Sequence, residues 1–329
     1  MAKDKTALTM EARQVDELPR GPGWQYEPKW DGFRCLAIRK GKQVELLGRS
    51  GKSLARYFPE MVEALAKLKL DRFVLDGELV IPVGRSLSFE ALQMRLHPAE
   101  SRIRRLAGET PSLFIAFDLL QDSDGRDLVK TPLAERRAAL ERLFRKLGKS
   151  AHLRLSDATT SRAIAARWLR RAGAGALDGV VAKRLDEPYR AGERAMLKIK
   201  RLRSADCVVG GFRYATAAKQ VGSLLLGLYN EQGLLDHVGF TSAIADKDRA
   251  DLTKKVEKLR GGKGFTGDAP GGPSRWSTER SEQWEPVRPE LVVEVQYDHV
   301  TGRRFRHGTR LLRWRPDKAP KQCTFDQLR

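Results

Sequence analysis

The chain has 329 residues, of which 41% are hydrophobic, and this length and composition suit a soluble globular protein of two domains and argue against disorder. Its formal net charge is +20, and Lys and Arg recur along the whole chain, so we expect a polyanionic partner, for which nucleic acid fits best. No apolar run approaches the ~20 residues that span a bilayer, and the N-terminus has no signal-peptide core, so neither a membrane partner nor export is expected.

Hydrophobic periodicity predicts both helices and strands in the first part of the chain. Residues 1–23 read as an irregular lead-in that ends in a Pro- and Gly-rich stretch. Phe33–Arg39 and Val44–Leu47 predict a hairpin, and Phe73–Ile81 predicts a strongly apolar strand. The other elements predicted here are helices at Pro59–Leu68, Ser88–Leu96, Leu133–Leu147 and Thr160–Arg171 and a buried strand at Leu113–Leu120.

The character of the chain changes after about Leu202, where short apolar runs follow one another. Several short strands with one helix suggest a small barrel of the OB type, and the final strand is dense in arginine. We therefore expect two domains, 1–202 and 203–329. The predicted elements of the second are strands at Cys207–Tyr214, Ser223–Tyr229, Leu235–Phe240, Leu291–Tyr297 and Phe305–Trp314 and a helix at Lys247–Leu259.

The three cysteines, Cys35, Cys207 and Cys323, lie far apart and are not grouped with histidines. This spacing argues against a zinc site and against a disulfide framework. It suits a reducing cytoplasm, which is the location we expect.

One lysine is a candidate nucleophile. Lys29 lies between Pro28, which stiffens the approach, and Asp31-Gly32, which favours a tight turn. A fixed, partly desolvated lysine with other cations nearby can lose its proton near neutral pH and attack an electrophile. The alternative is a solvated lysine at the mouth of an Asp-Gly hairpin.

Two further patterns suggest ligand contacts. Asp76 and Glu78 interrupt an apolar strand, where carboxylates are costly unless they bind something, so they are candidates for ribose or metal contact. The alternative is an outward-facing bulge at Gly77. Lys198 and Lys200 share one strand face, and their repulsion would be relieved by an anion such as phosphate.

These pieces, in this order, resemble the covalent nucleotidyltransferase superfamily, and most closely the short bacterial ATP-dependent DNA ligases related to end-joining ligases. The resemblance implies an α+β nucleotidyltransferase (adenylation) domain followed by a mostly β OB-fold domain. The matching segments are Lys29–Arg34, Arg49–Lys52 with Phe58–Glu60, Asp76–Glu78, Phe117–Leu119, Asp178–Lys183, Leu197–Lys200 and the terminal Arg315–Lys318.

The resemblance implies covalent catalysis with ATP, and with Mg²⁺ or Mn²⁺ as metal. Lys29 would attack the α-phosphate of ATP and release pyrophosphate, leaving lysyl-AMP. AMP would then pass to the 5′-phosphate at a nick, and the 3′-hydroxyl would displace it. The implied partners are nicked duplex DNA and base-excision or end-joining repair proteins, and a monomer is the simplest expectation.

The resemblance also assigns roles around the nucleotide. Glu27 would accept a hydrogen bond from the adenine amino group, and Phe117 would stack on the base. Glu78 would bind the ribose hydroxyls or a metal. Lys183 belongs to the same nucleotide-binding set.

Cationic residues would bind the phosphates. Arg34, Lys198 and Lys200 would hold the phosphates of ATP and stabilise charge in the transition state. Arg49 would contact the 5′-phosphate of the nick or the nucleotide.

Three more residues complete the implied site. Asp178 would bind Mg²⁺, directly or through water, since many relatives have the longer Glu at this position. Arg315 and Lys318, from the second domain, would orient pyrophosphate in the first step only.

Two other functions remain open from the sequence. An RNA ligase or an RNA-capping nucleotidyltransferase would share the lysine chemistry. A non-catalytic DNA-binding protein would also explain the basic composition, although the intact set of Lys29, Glu78 and Lys198 argues against it.

Overall fold

The chain divides into two compact units, Met1–Arg201 and Leu202–Arg329. Among the residues that the structure describes, no helix has both the length and the apolar character that crossing a membrane requires. This computed structural model describes residues 9–84, 86–173, 177–215, 218–271 and 283–328.

The N-terminal unit mixes helices and strands. In chain order, its elements are β1 (Ala12–Gln14), β2 (Trp24–Trp30), β3 (Phe33–Lys40), β4 (Gln43–Gly48), a 3₁₀ turn (Ala55–Tyr57), α1 (Pro59–Ala66), β5 (Arg72–Val80), β6 (Pro82–Val83), β7 (Ser86–Leu87), α2 (Phe89–Met94), α3 (Glu100–Glu109), β8 (Leu113–Gln121), α4 (Leu133–Leu147), β9 (Leu153–Leu155), α5 (Arg162–Arg171), β10 (Leu177–Arg184) and β11 (Met196–Lys200).

Two of its sheets carry most of these elements. One has the strand order β4-β3-β5-β8-β9, and its apolar face packs against helices, so that Met61 of α1 and Leu140 of α4 share a core with Phe73 and Phe114. The other has the order β1-β11-β10-β2, in which β1 and β11 run parallel. Strand β2 ends at Trp30 and β3 of the other sheet begins at Phe33, so this short connection joins the two sheets.

Local sequence patterns predicted many of these elements and missed others. The predicted hairpin is confirmed by the antiparallel pairing of β3 with β4, and the predicted helix Leu133–Leu147 is confirmed as α4. The irregular lead-in was wrong at Ala12–Gln14, which forms β1, while residues 1–8 of that prediction lie outside the described residues. Helix α3 was not predicted, because half of its residues are charged and only Ile103, Leu106 and Ala107 are buried.

The C-terminal unit is mainly β. Its elements are β12 (Arg203–Ala215), β13 (Ala218–Tyr229), β14 (Leu235–Ala243), α6 (Asp246–Glu257), β15 (Glu285–Pro286), β16 (Val292–Tyr297), β17 (Val300–Thr301), β18 (Arg304–Phe305), β19 (Thr309–Trp314) and 3₁₀ turns at Pro320–Gln322 and Phe325–Leu328.

Five of these strands close into a barrel. Each pairs with the next in the cycle β12-β13-β14-β19-β16 and back to β12, and α6 lies between the third and fourth barrel strands in the sequence. This arrangement confirms the predicted OB-type barrel. The single strand predicted at Phe305–Trp314 was wrong, because β18 and β19 are separate and β18 pairs with β17.

Candidate active site

A cavity of about 620 Å³ in the N-terminal unit brings together most of the residues predicted to bind ATP. This volume is in the ordinary range for a small-molecule site. Asp178 and Lys200 are not part of its lining, but Asp178 contacts Lys29, which does line it, and Lys200 contacts Asp178. The predicted residues that line the cavity are Glu27, Lys29, Arg34, Arg49, Glu78, Phe117, Lys183 and Lys198.

The register of one sheet explains this convergence. In the sheet β1-β11-β10-β2, Gln14 pairs with Lys198, Lys198 with Val181, and Val181 with Glu27. In-register neighbours point to the same face of a sheet. These four residues therefore form one row across four strands, and all four line the cavity.

Lys29 lies within strand β2, with its side chain 24% exposed. Asp31 and Gly32 join two different sheets, so the alternative of a lysine at the mouth of an Asp-Gly hairpin was wrong. A Cβ atom at Gly32 would lie 2.2 Å from the carbonyl oxygen of Leu79, which requires glycine at this position. The Gly32 N–H donates to Glu78 Oε1 at 3.1 Å, and this bond holds the connection against β5.

A carboxylate joins two of the predicted lysines. Asp178 Oδ2 lies 2.6 Å from Lys29 Nζ and 3.2 Å from Lys200 Nζ. Burial opposes ionisation of Asp178, but the two lysines outweigh it and hold its pKa below the usual range. The sequence argument expected an anion to relieve repulsion at Lys200, and the structure supplies a protein carboxylate there.

Lys198 differs from its neighbour Lys200. Burial lowers the pKa of Lys198, and the nearby charges of Lys200 and Lys29 lower it further. No ion pair of Lys198 occurs within the described parts of the chain. An anion in the cavity would therefore be attracted to this side chain.

The predicted adenine-binding residue is held by two side chains. Glu27 Oε2 lies 2.8 Å from Lys183 Nζ, and Gln25 Nε2 donates to Glu27 Oε1 at 2.7 Å. All three residues are buried. The ring of Phe117 has two cations close to its centroid, with Arg34 at 4.5 Å and Lys183 at 4.7 Å.

The two carboxylates of the Asp76-Gly77-Glu78 segment lie in different environments. Asp76 is fully buried, which excludes the outward-facing alternative for it, and it accepts two 2.6 Å hydrogen bonds from Arg34. Glu78 lines the cavity instead. Burial raises the pKa of Glu78 to about 7, although Lys29 and Arg34 act in the opposite direction.

Two predicted residues lie in the C-terminal unit. Arg315 Nη1 donates to both oxygens of Asp206 at 2.9 and 3.1 Å, and Lys318 Nζ donates to Asp206 Oδ2 at 2.7 Å. Asp317 accepts further bonds from Arg315. Both cations therefore have carboxylate partners, which sequence reasoning did not identify.

The remaining predicted residue is at the edge of the cavity. The side chain of Arg49 is 74% exposed, and its Nε lies 4.0 Å from Glu11. Such an exposed cation can contact an approaching anion.

The described residues contain no group of three or more His, Cys, Asp or Glu side chains that could by itself hold a metal ion. Mg²⁺ is commonly bound by one or two carboxylates together with substrate phosphates. Glu78 in the cavity and Asp178 beside it suit that kind of site.

Comparison with known proteins identifies two family matches along the chain. A family model described as ATP dependent DNA ligase domain matches residues 8–200. A second, described as ATP dependent DNA ligase C terminal region, matches residues 217–318.

The chain is also similar over nearly its whole length to individual ligases. It is 46% identical to DNA ligase C1 of Mycolicibacterium smegmatis and 43% identical to DNA ligase C of Mycobacterium tuberculosis, in each case over 97% of this chain and 92% of the relative. A solved structure of the Lig E DNA ligases shares the fold, with a TM-score of 0.59 at 17% identity over 93% of this chain and 98% of that one. The chain belongs to the ATP-dependent DNA ligases, with a nucleotidyltransferase domain followed by an OB-fold domain.

Proposed function

We propose that this DNA ligase seals nicks through a covalent intermediate in which AMP is bound to Lys29. The observation that carries the proposal is the position of Lys29: its side chain lines the ATP-sized cavity, 2.6 Å from Asp178 and close to Lys198 and Lys200. A lysine held by a carboxylate and surrounded by further cations is suited to attack a polyphosphate.

In the first step, Lys29 Nζ forms a bond to the α-phosphorus of ATP while the bond to the bridging oxygen breaks and pyrophosphate leaves. Asp178 orients Nζ and accepts its proton. AMP then passes from Nζ to the 5′-phosphate of the nick. The 3′-hydroxyl finally attacks that phosphate, forms the phosphodiester bond and releases AMP.

Three residues contact the nucleoside, and two more hold one of them in place. Glu27, held by Lys183 and Gln25, accepts a hydrogen bond from the adenine amino group. Phe117 provides an apolar face for the base, and Glu78 accepts hydrogen bonds from the ribose hydroxyls.

The phosphates are bound by cations in or beside the same cavity. Lys198 and Lys200 neutralise the charge that develops on the α-phosphate and the leaving group. Arg34 lies beside Phe117 and contributes to nucleotide binding with the guanidinium atoms that Asp76 does not use. Arg49, at the edge of the cavity, contacts the 5′-phosphate of the nick.

Mg²⁺ would be held by Glu78 and by Asp178, and when bound it would offset the negative charge of the phosphates. Arg315 and Lys318 bind the leaving pyrophosphate in the first step only.

We also assign residues 1–202 to the adenylation domain and residues 203–329 to the OB-fold domain. The net charge of +20 supports a grip on duplex DNA through phosphate contacts. The resemblance to end-joining ligases supports a role in DNA repair.

A nick-sealing experiment tests the chemistry and the substrate together. A 5′-phosphorylated nick in duplex DNA and the same nick in an all-RNA duplex are incubated with ATP and Mg²⁺, and products are separated on a gel. We expect preferential DNA sealing by the wild type, none by Lys29→Ala, and wild-type sealing by Lys69→Ala, which removes an exposed lysine outside the cavity. Sealing by Lys29→Ala would exclude Lys29 as the nucleophile.

A further inference from the structure

A buried hydrogen-bond chain runs from the N-terminal strand segment to the cavity. The backbone N–H of Met10 donates to the hydroxyl of Tyr189 at 2.9 Å, and that hydroxyl donates to Asp76 Oδ2 at 2.6 Å. Asp76 in turn accepts the two bonds from Arg34, and Arg34 Nη2 returns to the carbonyl oxygen of Met10 at 3.4 Å. The hydrogen bonds therefore form a closed ring that starts and ends at Met10.

Every member of this chain except Arg34 is removed from solvent. Met10 and Tyr189 are each 5% exposed, and Asp76 is 0% exposed. A hydrogen bond to an ionised group in such surroundings is stronger than a neutral one, and a donor left without a partner there is costly. The positions of Met10 and Arg34 are therefore coupled through Tyr189 and Asp76.

The segment that this chain anchors forms one wall of the cavity. Met10, Ala12 and Gln14 all line it, and strand β1 extends the sheet beside Lys198 of β11. Glu11 of the same segment lies 4.0 Å from Arg49 and 3.8 Å from Arg194, and both arginines also line the cavity. A shift of this segment would therefore move several groups that face the ligand.

We propose that Tyr189 is a positioning residue for ATP: its hydroxyl fixes both the N-terminal wall of the cavity and, through Asp76, the guanidinium of Arg34 beside Phe117. Tyr189 itself does not line the cavity. The inference rests on the proposed function of the cavity as the ATP site.

The substitution Tyr189→Phe tests the role of one oxygen atom. It keeps the ring, whose centroid lies 5.7 Å from the guanidinium carbon of Arg136, and removes the acceptor of Met10 N–H and a donor to Asp76. Tyr26→Phe is a matched control, because Tyr26 is 1% exposed in the same unit and its hydroxyl donates to the Pro19 carbonyl at 2.8 Å, outside the cavity lining.

The readout is the rate of protein labelling by ATP radiolabelled at the α-phosphate, measured over a range of ATP concentrations. For Tyr189→Phe we expect the half-saturating ATP concentration to rise about tenfold, equivalent to about 1.4 kcal/mol, with the maximal rate within about twofold of wild type. Tyr26→Phe should change the half-saturating concentration by less than about twofold. A merely structural loss would lower the active fraction and leave this concentration unchanged.

A double-mutant cycle tests whether Tyr189 acts through Arg34. In an Arg34→Ala background, Tyr189→Phe should raise the half-saturating ATP concentration by less than it does in wild type, because one of the two groups it positions is gone. Equal effects of Tyr189→Phe and Tyr26→Phe, or full additivity in the cycle, would overturn the inference. Lys29→Ala in the same assay separates this from a failure of the proposed function, since labelling of that variant would contradict the proposed function itself.

Discussion

The two groups of cations predicted to act on phosphates differ in how their charges are balanced. In the N-terminal unit, Asp178 pairs with Lys29 and Lys200, whereas Lys198 has no ion pair among the described residues. In the C-terminal unit, Arg315 and Lys318 are bound by Asp206, and Arg315 also by Asp317. The first group can attract an anion as it stands, whereas the second must exchange a carboxylate for one.

One carboxyl group from each site has a shifted pKa, and the two shifts have opposite directions. Burial raises the pKa of Glu78 in the cavity to about 7, despite the cations around it. The hydrogen bond from Arg315 lowers the pKa of the exposed Asp317 to about 2. The carboxyl group of Glu78 is thus in a desolvated environment where charges interact strongly, whereas that of Asp317 is solvated.

The comparison predicts unequal effects for the same substitution in the two groups. Asp178→Asn should slow transfer of AMP to the protein by about 100-fold, because Lys29 loses the group that orients it and accepts its proton. Asp206→Asn should cost less than about tenfold, because Asp317 still binds Arg315. Single-turnover labelling with ATP measures both, and a larger loss for Asp206→Asn would reverse the ranking of the two sites.

The C-terminal group should matter for one step only. We expect Arg315→Ala combined with Lys318→Ala to reduce nick sealing from ATP by about 10- to 100-fold, because the leaving pyrophosphate loses two cations. Sealing of a nick that already carries AMP should stay within about threefold of wild type. Equal losses in the two assays would contradict the assignment of these residues to the first step.

The smallest predicted effect concerns the pH dependence of stability. The folded pKa of Glu78, about 7, is higher than that of an unfolded Glu, about 4.3, so the folded state binds more protons between these values and wild-type stability falls as pH rises through them. The free energy of unfolding of Glu78→Gln relative to wild type should therefore rise by about 1–2 kcal/mol between about pH 4.5 and pH 7 and stay constant above pH 7.

Asp317→Asn is expected to show the opposite sign. Because the pKa of Asp317 is lowered in the folded state, its ionised carboxylate stabilises the fold above the unfolded pKa of about 3.9. This stabilisation is lost as the pH falls towards about 2. Denaturant unfolding of both variants at several pH values measures these trends. Parallel pH profiles for the two variants would show that the Glu78 and Asp317 carboxyl groups do not differ in solvation.

Much of the fold follows from local sequence patterns. Helix α4 and the strands of the β3–β4 hairpin have strong hydrophobic periods, so their positions were predictable without knowledge of the rest of the chain. Strand β1 has only three residues and exists through its pairing with β11, far along the chain. A local pattern contains no information about such a partner.

The candidate site was predictable as a set of residue types, but their pairing was not. The sequence treated Asp76 and Glu78 alike, and only the structure shows that one binds Arg34 while the other faces the cavity. Gln25 and Tyr189 carried no signal, because each acts through a hydrogen bond that exists only in the folded chain. Ion pairs between distant segments depend on register, which composition and spacing do not determine.

The parallel pairing of β1 with β11 also affects how the enzyme is made. The two strands are on the order of 180 residues apart, so at about 5–20 residues per second β1 leaves the ribosome roughly 10–40 s before its partner is synthesised. The wall that β1 contributes to the cavity can be completed only when nearly the whole N-terminal unit has emerged. A nascent chain that stalls before Met196 would therefore contain Lys29 without a finished ATP site.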